Sequence, residues 1–314
     1  MTEPARELEN FDPVNRELPF LTSMFTTFIC ILFGINAVAI KYGMIGFGPF
    51  TGGAIRFVIA AVTIYLWAHL TGRPLRIKRD QYVPMLVICI IFSIQISFFY
   101  IGISKTLASR CTLIINLLPF FILILAHFFI PGDRITAKKA FGILLGFGGI
   151  IFVFADKHSV GGSVHAGDLL VLCASILWAV NTIYIKKIIN DFEPHQLVIY
   201  QMIFAAPVVF TEAVFFDGFM INHPDLKVVS AILYQSFVTA SFGFIAWSSL
   251  MKRYGATALH SFVFIIPISG VIFGNVILDE PITHKMLIAL ILIVIGIIIV
   301  QTDVAKFKAI LRFR

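Results

Sequence analysis

Several long apolar runs of this 314-residue sequence contain isolated polar side chains. These side chains are the groups in the runs that could form hydrogen bonds to a ligand. Asn36 and Asn181 each interrupt one run, and Ser93, Ser97 and Tyr100 recur at helical spacing in another. A polar group in hydrocarbon is costly, so it normally faces a partner or a water-filled path. On such a path, amides and hydroxyls would bind a small solute by hydrogen bonds. A second interpretation, that the asparagines tie neighbouring helices together, stays open.

Seven residues of this kind are predicted to line one cavity. They combine amide, hydroxyl, aromatic and imidazole groups: Asn36, Ser93, Asn116, Trp178, Asn181, Tyr200 and His260. Trp178 and Tyr200, together with Tyr234 and Trp247, would form an aromatic box for an apolar or cationic solute. The same rings would otherwise anchor the chain at the membrane interfaces.

One arginine and two prolines complete the candidate residues. Arg56 lies about 10 Å inside an apolar run at 1.5 Å per residue, where its planar fork would suit an anionic group. A structural role with the side chain snorkelling outward is the alternative. Pro119 and Pro267 lie within apolar runs and lack the backbone N–H, so each predicts either a hinge or a packing bend.

Patterns that would indicate an enzyme are absent. The sequence has no Walker loop, no His-Glu-x-x-His and no Gly-x-Ser-x-Gly, and its four cysteines show no paired spacing. Glu212, near one end of a run, is explained by snorkelling to the interface, so no proton relay at mid-membrane is indicated. We therefore expect no catalytic residues, no metal and no cofactor.

The composition sets the class of protein. Hydrophobic residues make up 59% of the chain and charged residues 13%, with a mean hydropathy of +0.95. Soluble domains average about 45–50% apolar and about 25% charged residues, and a single core could not hide this excess. The sequence thus predicts an all-α polytopic membrane protein. The net charge of +7 lies mainly in loops and tails, which indicates contact with lipid headgroups rather than nucleic acid.

Ten apolar runs are long enough to cross a bilayer, which takes roughly 20 residues. They lie near residues 20–40, 50–70, 82–103, 109–130, 138–155, 167–186, 196–216, 228–250, 256–277 and 285–301. We predict an N-terminal tail (1–19), a first five-helix repeat (20–155), a connecting loop (156–166), a second five-helix repeat (167–302) and a basic tail (303–314). Lysine and arginine are biased about three to one toward one side, which predicts that both termini are cytoplasmic.

An internal repeat relates the two halves. The segment from Phe33 to Lys41 aligns with the segment from Trp178 to Lys186, and Pro119 aligns with Pro267. Each half has five predicted spans, an odd number, so the second half must enter the membrane from the opposite side. Inverted repeats of this kind are common in secondary transporters, which hold their substrate near the bilayer midplane.

Three matched segments resemble the EamA family of the drug/metabolite transporter superfamily. They are the Phe33–Lys41 segment, Ala54-Ile55-Arg56-Phe57, and the stretch from Ala256 through Pro267 to Leu278-Asp279-Glu280-Pro281. The resemblance covers the chain after about residue 20. It implies a ten-span inner-membrane protein that moves small metabolites, commonly amino acids or related compounds.

The expected function is therefore transport of a small organic metabolite by alternating access. Multidrug efflux of cationic amphiphiles is an alternative, as is a membrane enzyme or a lipid-handling protein that transports nothing. The expected partners are the solute and membrane lipids. Gly142 and Gly146 should pack helices within one chain, so we expect a monomer or a weak homodimer.

Overall fold

Helices account for nearly all of the chain that the structure describes. The computed structural model describes residues 18–130, 134–155, 163–254, 259 and 262–301. Its α-helices are α1 (Phe20–Gly43), α2 (Pro49–Leu70), α3 (Tyr82–Lys105), α4 (Ala108–Ile115), α5 (Leu118–Phe129), α6 (Ala137–Phe154), α7 (Ser163–Ile188), α8 (Pro194–Phe216), α9 (Leu226–Leu233), α10 (Phe244–Tyr254), α11 (Ile265–Leu278) and α12 (His284–Gln301). A π-helix (Tyr234–Gly243) joins α9 to α10, and 3₁₀ turns occupy Arg79–Gln81 and Ile189–Asp191.

Ten helical spans correspond to the ten predicted apolar runs. In the described part of the chain, nine stretches are long and apolar enough to cross a membrane, and α11 is a shorter apolar helix. The fourth span is α4 with α5, and the eighth is α9, the π-helix and α10. The ninth run was predicted to start at residue 256, but residues 255–258, 260 and 261 lie outside the described residues. The polytopic all-α class is confirmed.

The fourth span breaks in the middle because of Pro119. A proline cannot donate to the carbonyl four residues before it, which is that of Ile115. Here α4 ends at Ile115, and the Ser175 hydroxyl of α7 donates to that freed carbonyl at 3.3 Å. The break is therefore stabilised by a neighbouring helix.

The two halves pack as an inverted pair. Helix α6 runs antiparallel to its counterpart α12, since Gly142 lies against Val300 while Gly149 lies against Ile293. Helix α2 is likewise antiparallel to α8, with Phe50 against Phe216 at one end and Trp67 against His195 at the other.

Other contacts repeat when the halves are exchanged. Helix α1 packs on α11 as α7 packs on α4 and α5, and α3 packs on α8 as the eighth span packs on α2. The predicted architecture of two inverted five-helix repeats is thus confirmed. The exact division of the chain stays a prediction, because residues 156–162 and both predicted tails up to residue 17 and from residue 302 lie outside the described residues.

Two ends of the bundle must be distinguished. We call the end where α1 begins and α12 ends the terminal end, and the end where α1 finishes the far end.

Between these two ends, close contacts at glycine residues hold neighbouring helices together. A Cβ on Gly296 would lie 2.7 Å from the Gly142 carbonyl oxygen and 3.0 Å from the Gly146 nitrogen. As expected, this glycine pair packs helices within one chain.

Candidate functional site

Asn36 is tied to the π-helix of the eighth span. Its Oδ1 accepts a hydrogen bond from the Thr239 hydroxyl at 2.9 Å. Two further bonds join the same segments: the Tyr234 hydroxyl donates to the Leu32 carbonyl, and Gln235 Nε2 donates to the Ala39 carbonyl. π-Helical turns recur at functional sites. No sequence pattern predicted this one, yet it presents three polar side chains to α1.

Asn181, the counterpart of Asn36 in the repeat, lacks such a partner. It is 2% exposed on α7, and its Oδ1 has no hydrogen-bond partner among the described residues. Gln95 of the adjacent helix α3 is equally buried, and its Oε1 is also unpaired. A buried acceptor without a donor is costly, so these two amides are open to a donor that the described residues do not supply.

Ser93 and Asn116 bond to their own helices. The Ser93 hydroxyl donates to the Cys89 carbonyl at 2.9 Å, and Asn116 Nδ2 donates to the Thr112 carbonyl at 2.7 Å. Both side chains are buried. Asn116 also forms the C-cap of α4, so it lies at the break of the fourth span.

The predicted aromatic residues are dispersed over different elements. Tyr200 donates to the Leu75 carbonyl at 3.2 Å, which joins α8 to the loop after α2. Trp247 packs edge-on against Phe33 with ring centroids 6.0 Å apart, and Trp178 is half-buried on α7. His260 lies outside the described residues. Pro267 is buried in the first turn of α11, and a hinge role for it and for Pro119 stays a prediction.

Arg56 is buried within the bundle rather than extended to its surface. The residue is 4% exposed, its guanidinium carbon lies 5.6 Å from the Phe57 ring centroid, and its Nε has no hydrogen-bond partner. Tyr100 of α3 is close enough to interact electrostatically with Arg56, and its hydroxyl is also buried. Arg56 forms no ion pair within the described residues. Arg56 Nε thus lacks an acceptor, while the guanidinium is close enough to the Tyr100 oxygen, which can accept, to interact with it.

Glu212 is also directed into the protein. Its Oε1 is hydrogen-bonded to the Ser97 hydroxyl of α3, and its Oε2 is buried without a partner. The prediction that Glu212 snorkels to the interface is therefore wrong. Its depth along α8 could be read from the sequence, but the face of the helix on which it lies could not.

A charged cluster closes the far end of the bundle. Arg110 of α4 forms a buried ion pair with Asp168 of α7, their side chains being 1% and 0% exposed. The Thr106 hydroxyl donates to the same carboxylate. Lys41 Nζ donates to the carbonyls of Ile103, Ser104 and Thr106 at 2.6–3.2 Å, where the negative end of the α3 dipole favours a cation.

Glu280 caps the start of α4 at this same end. Its carboxylate accepts from the Ala108 and Ser109 nitrogens at 2.6 and 2.8 Å, and from the Ser109 hydroxyl. These N–H groups have no partner within their helix, and the helix dipole favours an anion there. Glu280 belongs to the second half and α4 to the first, so the cap joins the two repeats.

The far-end seam is the contact of α4 with α11, and it contains no gap. A Cβ on Gly270 would lie 2.2 Å from Thr112 Cγ2, and a Cβ on Gly274 would lie 3.3 Å from Ser109 Cβ. The seam joins the fourth and ninth spans, which are counterparts in the repeat. Together with the charged cluster, it packs the described helices closely at this end.

Cavities lie at the terminal end. One of about 310 Å³ lies among α2, α8 and α10, with Trp67, Arg73, His195 and Arg253 in its wall. Another of about 690 Å³ lies between the start of α1 and the end of α10 and includes Phe25, Phe28 and Tyr254. Among the described residues, the far end thus has the close-packed α4–α11 contact, and these two cavities lie at the terminal end.

Sequence reasoning missed the charged cluster. Arg110, Asp168 and Glu280 were not among the candidates, although Glu280 matches Asp133 in the repeat. That match was the available signal, because an acidic residue kept at equivalent points of both halves indicates a shared structural task.

Comparison with known proteins agrees with this architecture. The chain matches the EamA-like transporter family twice, over residues 21–155 and 165–302. It is 24% identical to an uncharacterized transporter of Archaeoglobus fulgidus over 85% of this chain and 94% of that protein. It is 25% identical to a probable amino-acid metabolite efflux pump of Escherichia coli over 86% of this chain and 91% of that protein.

A solved structure shares the fold. A protein of known crystal structure superposes with a TM-score of 0.67 at 19% identity, covering 89% of this chain and 98% of that one. The two family matches coincide with the two five-helix halves. The chain therefore belongs to the EamA-like transporter family of the drug/metabolite transporter superfamily and is a multi-pass membrane transporter.

Proposed function

We propose that this transporter exports a small organic metabolite, an amino acid or a related amphiphilic solute, across the inner membrane by alternating access. Both termini lie in the cytoplasm, so the far end faces outward. The observation that carries the proposal is the inverted repeat, sealed at the far end by the α4–α11 seam and indented at the terminal end. Exchanging the conformations of the two halves would open the far end and seal the other.

The class of solute follows from the unpaired interior groups. Asn181 Oδ1 and Gln95 Oε1 are buried acceptors without a donor, and Arg56 Nε is a buried donor without an acceptor among the described residues. An amino acid carries an ammonium group, which suits the acceptors, and a carboxylate, which suits the donors. The names of two relatives, each a probable amino-acid metabolite efflux pump, support the same class.

Solute exchange in liposomes tests this proposal. The purified protein is reconstituted, loaded with one unlabelled amino acid at a time, and assayed for counterflow of the labelled compound. Amphiphilic cations and sugars are included to separate multidrug efflux from metabolite transport. Asn36→Leu should slow the exchange, whereas Asn222→Leu in an exposed loop should not. Exchange no faster than in empty liposomes across the whole panel would overturn the proposal.

A further inference from the structure

Glu212 is a carboxyl group without a counter-charge inside a membrane-spanning helix. It lies four residues before the end of α8, about 6 Å from the far end at 1.5 Å per residue. Ser97 is its hydrogen-bond partner, its second oxygen is buried and unpaired, and it forms no ion pair with any described residue. A carboxylate whose second oxygen is buried without a donor would be disfavoured in the ionised form.

The hydrogens available at Ser97 indicate which form is present. The Ser97 oxygen contacts Glu212 Oε1 and also the Ser93 carbonyl, at 3.0 Å. A hydroxyl has one hydrogen, and a carbonyl only accepts. When Ser97 donates to Ser93, the contact with Glu212 requires a hydrogen from the carboxyl group. The opposite arrangement leaves a bare carboxylate with a single donor. These contacts thus accommodate a protonated Glu212, which would supply the second hydrogen.

A cation for the ionised form is on the adjacent helix. Of the elements packed against α8, α2 carries Arg56 and α3 carries Tyr100 and Lys105 at this end, while Arg253 of α10 lies at the opposite end. Asp217, the C-cap of α8 itself, is hydrogen-bonded to the start of α2. Arg56 lies seven residues from the start of α2, and α2 and α8 are antiparallel, so Arg56 and Glu212 are at similar depths. Arg56 now lies beside Phe57 and Tyr100 without a carboxylate partner.

We propose that Glu212 is the proton-binding site of this transporter and that the chain exchanges protons for its solute. With the far end sealed, Glu212 holds one proton and bonds to Ser97. On losing that proton it becomes a carboxylate that pairs with Arg56. The two partners belong to different helices, so the protonation state biases how α8 lies against α3 and α2, which is the differential contact that coupling requires. This inference rests on the proposed transport function.

Two measurements on the same liposomes separate the two proposals. Counterflow reports solute exchange without net proton movement, whereas a pH-sensitive dye inside the vesicles reports protons moved when solute is added. Wild type should show both signals. Glu212→Gln keeps the bond to Ser97 and cannot titrate, so it should retain counterflow and lose the dye signal. Asp80→Asn, at an exposed position in a 3₁₀ turn, is the matched control and should keep both signals.

The outcomes are distinct. Absence of counterflow in wild type refutes the transport proposal itself. Counterflow without a dye signal in wild type, or a full dye signal in Glu212→Gln, refutes the proton site alone. If Glu212→Gln does not fold, two further measurements decide. Glu212→Asp, still titratable, should move protons more slowly than wild type. The number of protons bound by the wild-type protein in detergent should change when solute is added. An unchanged number would refute the proton site.

Discussion

The seam between α4 and α11 offers the sharpest test of the sealed far end, through the substitution Gly270→Ala. The added Cβ would lie 2.2 Å from Thr112 Cγ2 and 2.7 Å from Thr112 Oγ1. Carbon atoms pack best at about 3.5–4.0 Å, so the two helices must separate by roughly 1.3 Å or more. Overpacking of this kind costs about 1–3 kcal/mol. The cost arises only while the seam is closed, so the closed state should lose about 5- to 150-fold in population.

A native thiol reports the opening. Cys111 lies on α4 and is 0% exposed, so in the sealed state it should react slowly. The assay is labelling of intact cells with a membrane-impermeant maleimide, in a chain whose other cysteines are replaced by alanine: Cys30, Cys89 and Cys173. Gly270→Ala should label Cys111 several-fold faster than the parent chain does.

Two companion variants isolate the steric effect. Gly148→Ala on α6 has nothing within 4 Å of the new Cβ, so it measures the gain in helix propensity alone and should leave labelling unchanged. Adding Thr112→Ala to Gly270→Ala removes the two nearest atoms and leaves a contact of 2.8 Å, so labelling should fall part of the way back. If Gly270→Ala labels at the parental rate, the seam does not seal the far end and the reasoning is wrong.

Three further predictions concern charge and hydrogen bonding. Asp168→Asn leaves the Arg110 charge buried without a counter-charge and should lower the free energy of unfolding by about 3–5 kcal/mol, measured as a lower midpoint of thermal unfolding in detergent. The control Asp225→Asn keeps an exposed N-cap and should change the free energy of unfolding by under about 1 kcal/mol. Glu280→Ala removes the cap that joins the two halves and should both lower the unfolding midpoint and speed the labelling of Cys111. Labelling at the rate of the parent chain would show that the cap does not hold the seam closed. Asn181→Ala should reduce counterflow without loss of folded protein by size-exclusion chromatography, whereas Asn190→Ala, exposed in a 3₁₀ turn, should leave both unchanged.

The sequence determined the helices and their inversion because both depend on simple patterns. Long apolar runs mark the spans, and an odd number of spans in each half forces the second half to insert the other way. Pro119 likewise marked the break in the fourth span, since the missing N–H is a local property. None of these inferences requires knowing which residues meet in space.

Contacts between distant segments were not predictable in this way. Arg110 and Asp168 are 58 positions apart, and Ser109 and Glu280 are 171 apart. Their pairing depends on which helix ends meet across the two halves, and no local pattern encodes that. For Glu212, the position in the apolar run indicated its depth in the membrane but not the direction of its side chain, because α8 is apolar nearly all around.

The pairing of α6 with α12 has a thermodynamic consequence. These helices are counterparts, so in the proposed exchange of conformations between the halves their contact would be mapped onto itself and would keep its energy. Gly142 and Gly296 bring the two backbones too close for any side chain to intervene, so the pair would act as a stiff pivot in both states. Such a pivot would add nothing to the energy gap between the states, which would depend on contacts elsewhere, where the two halves differ in sequence.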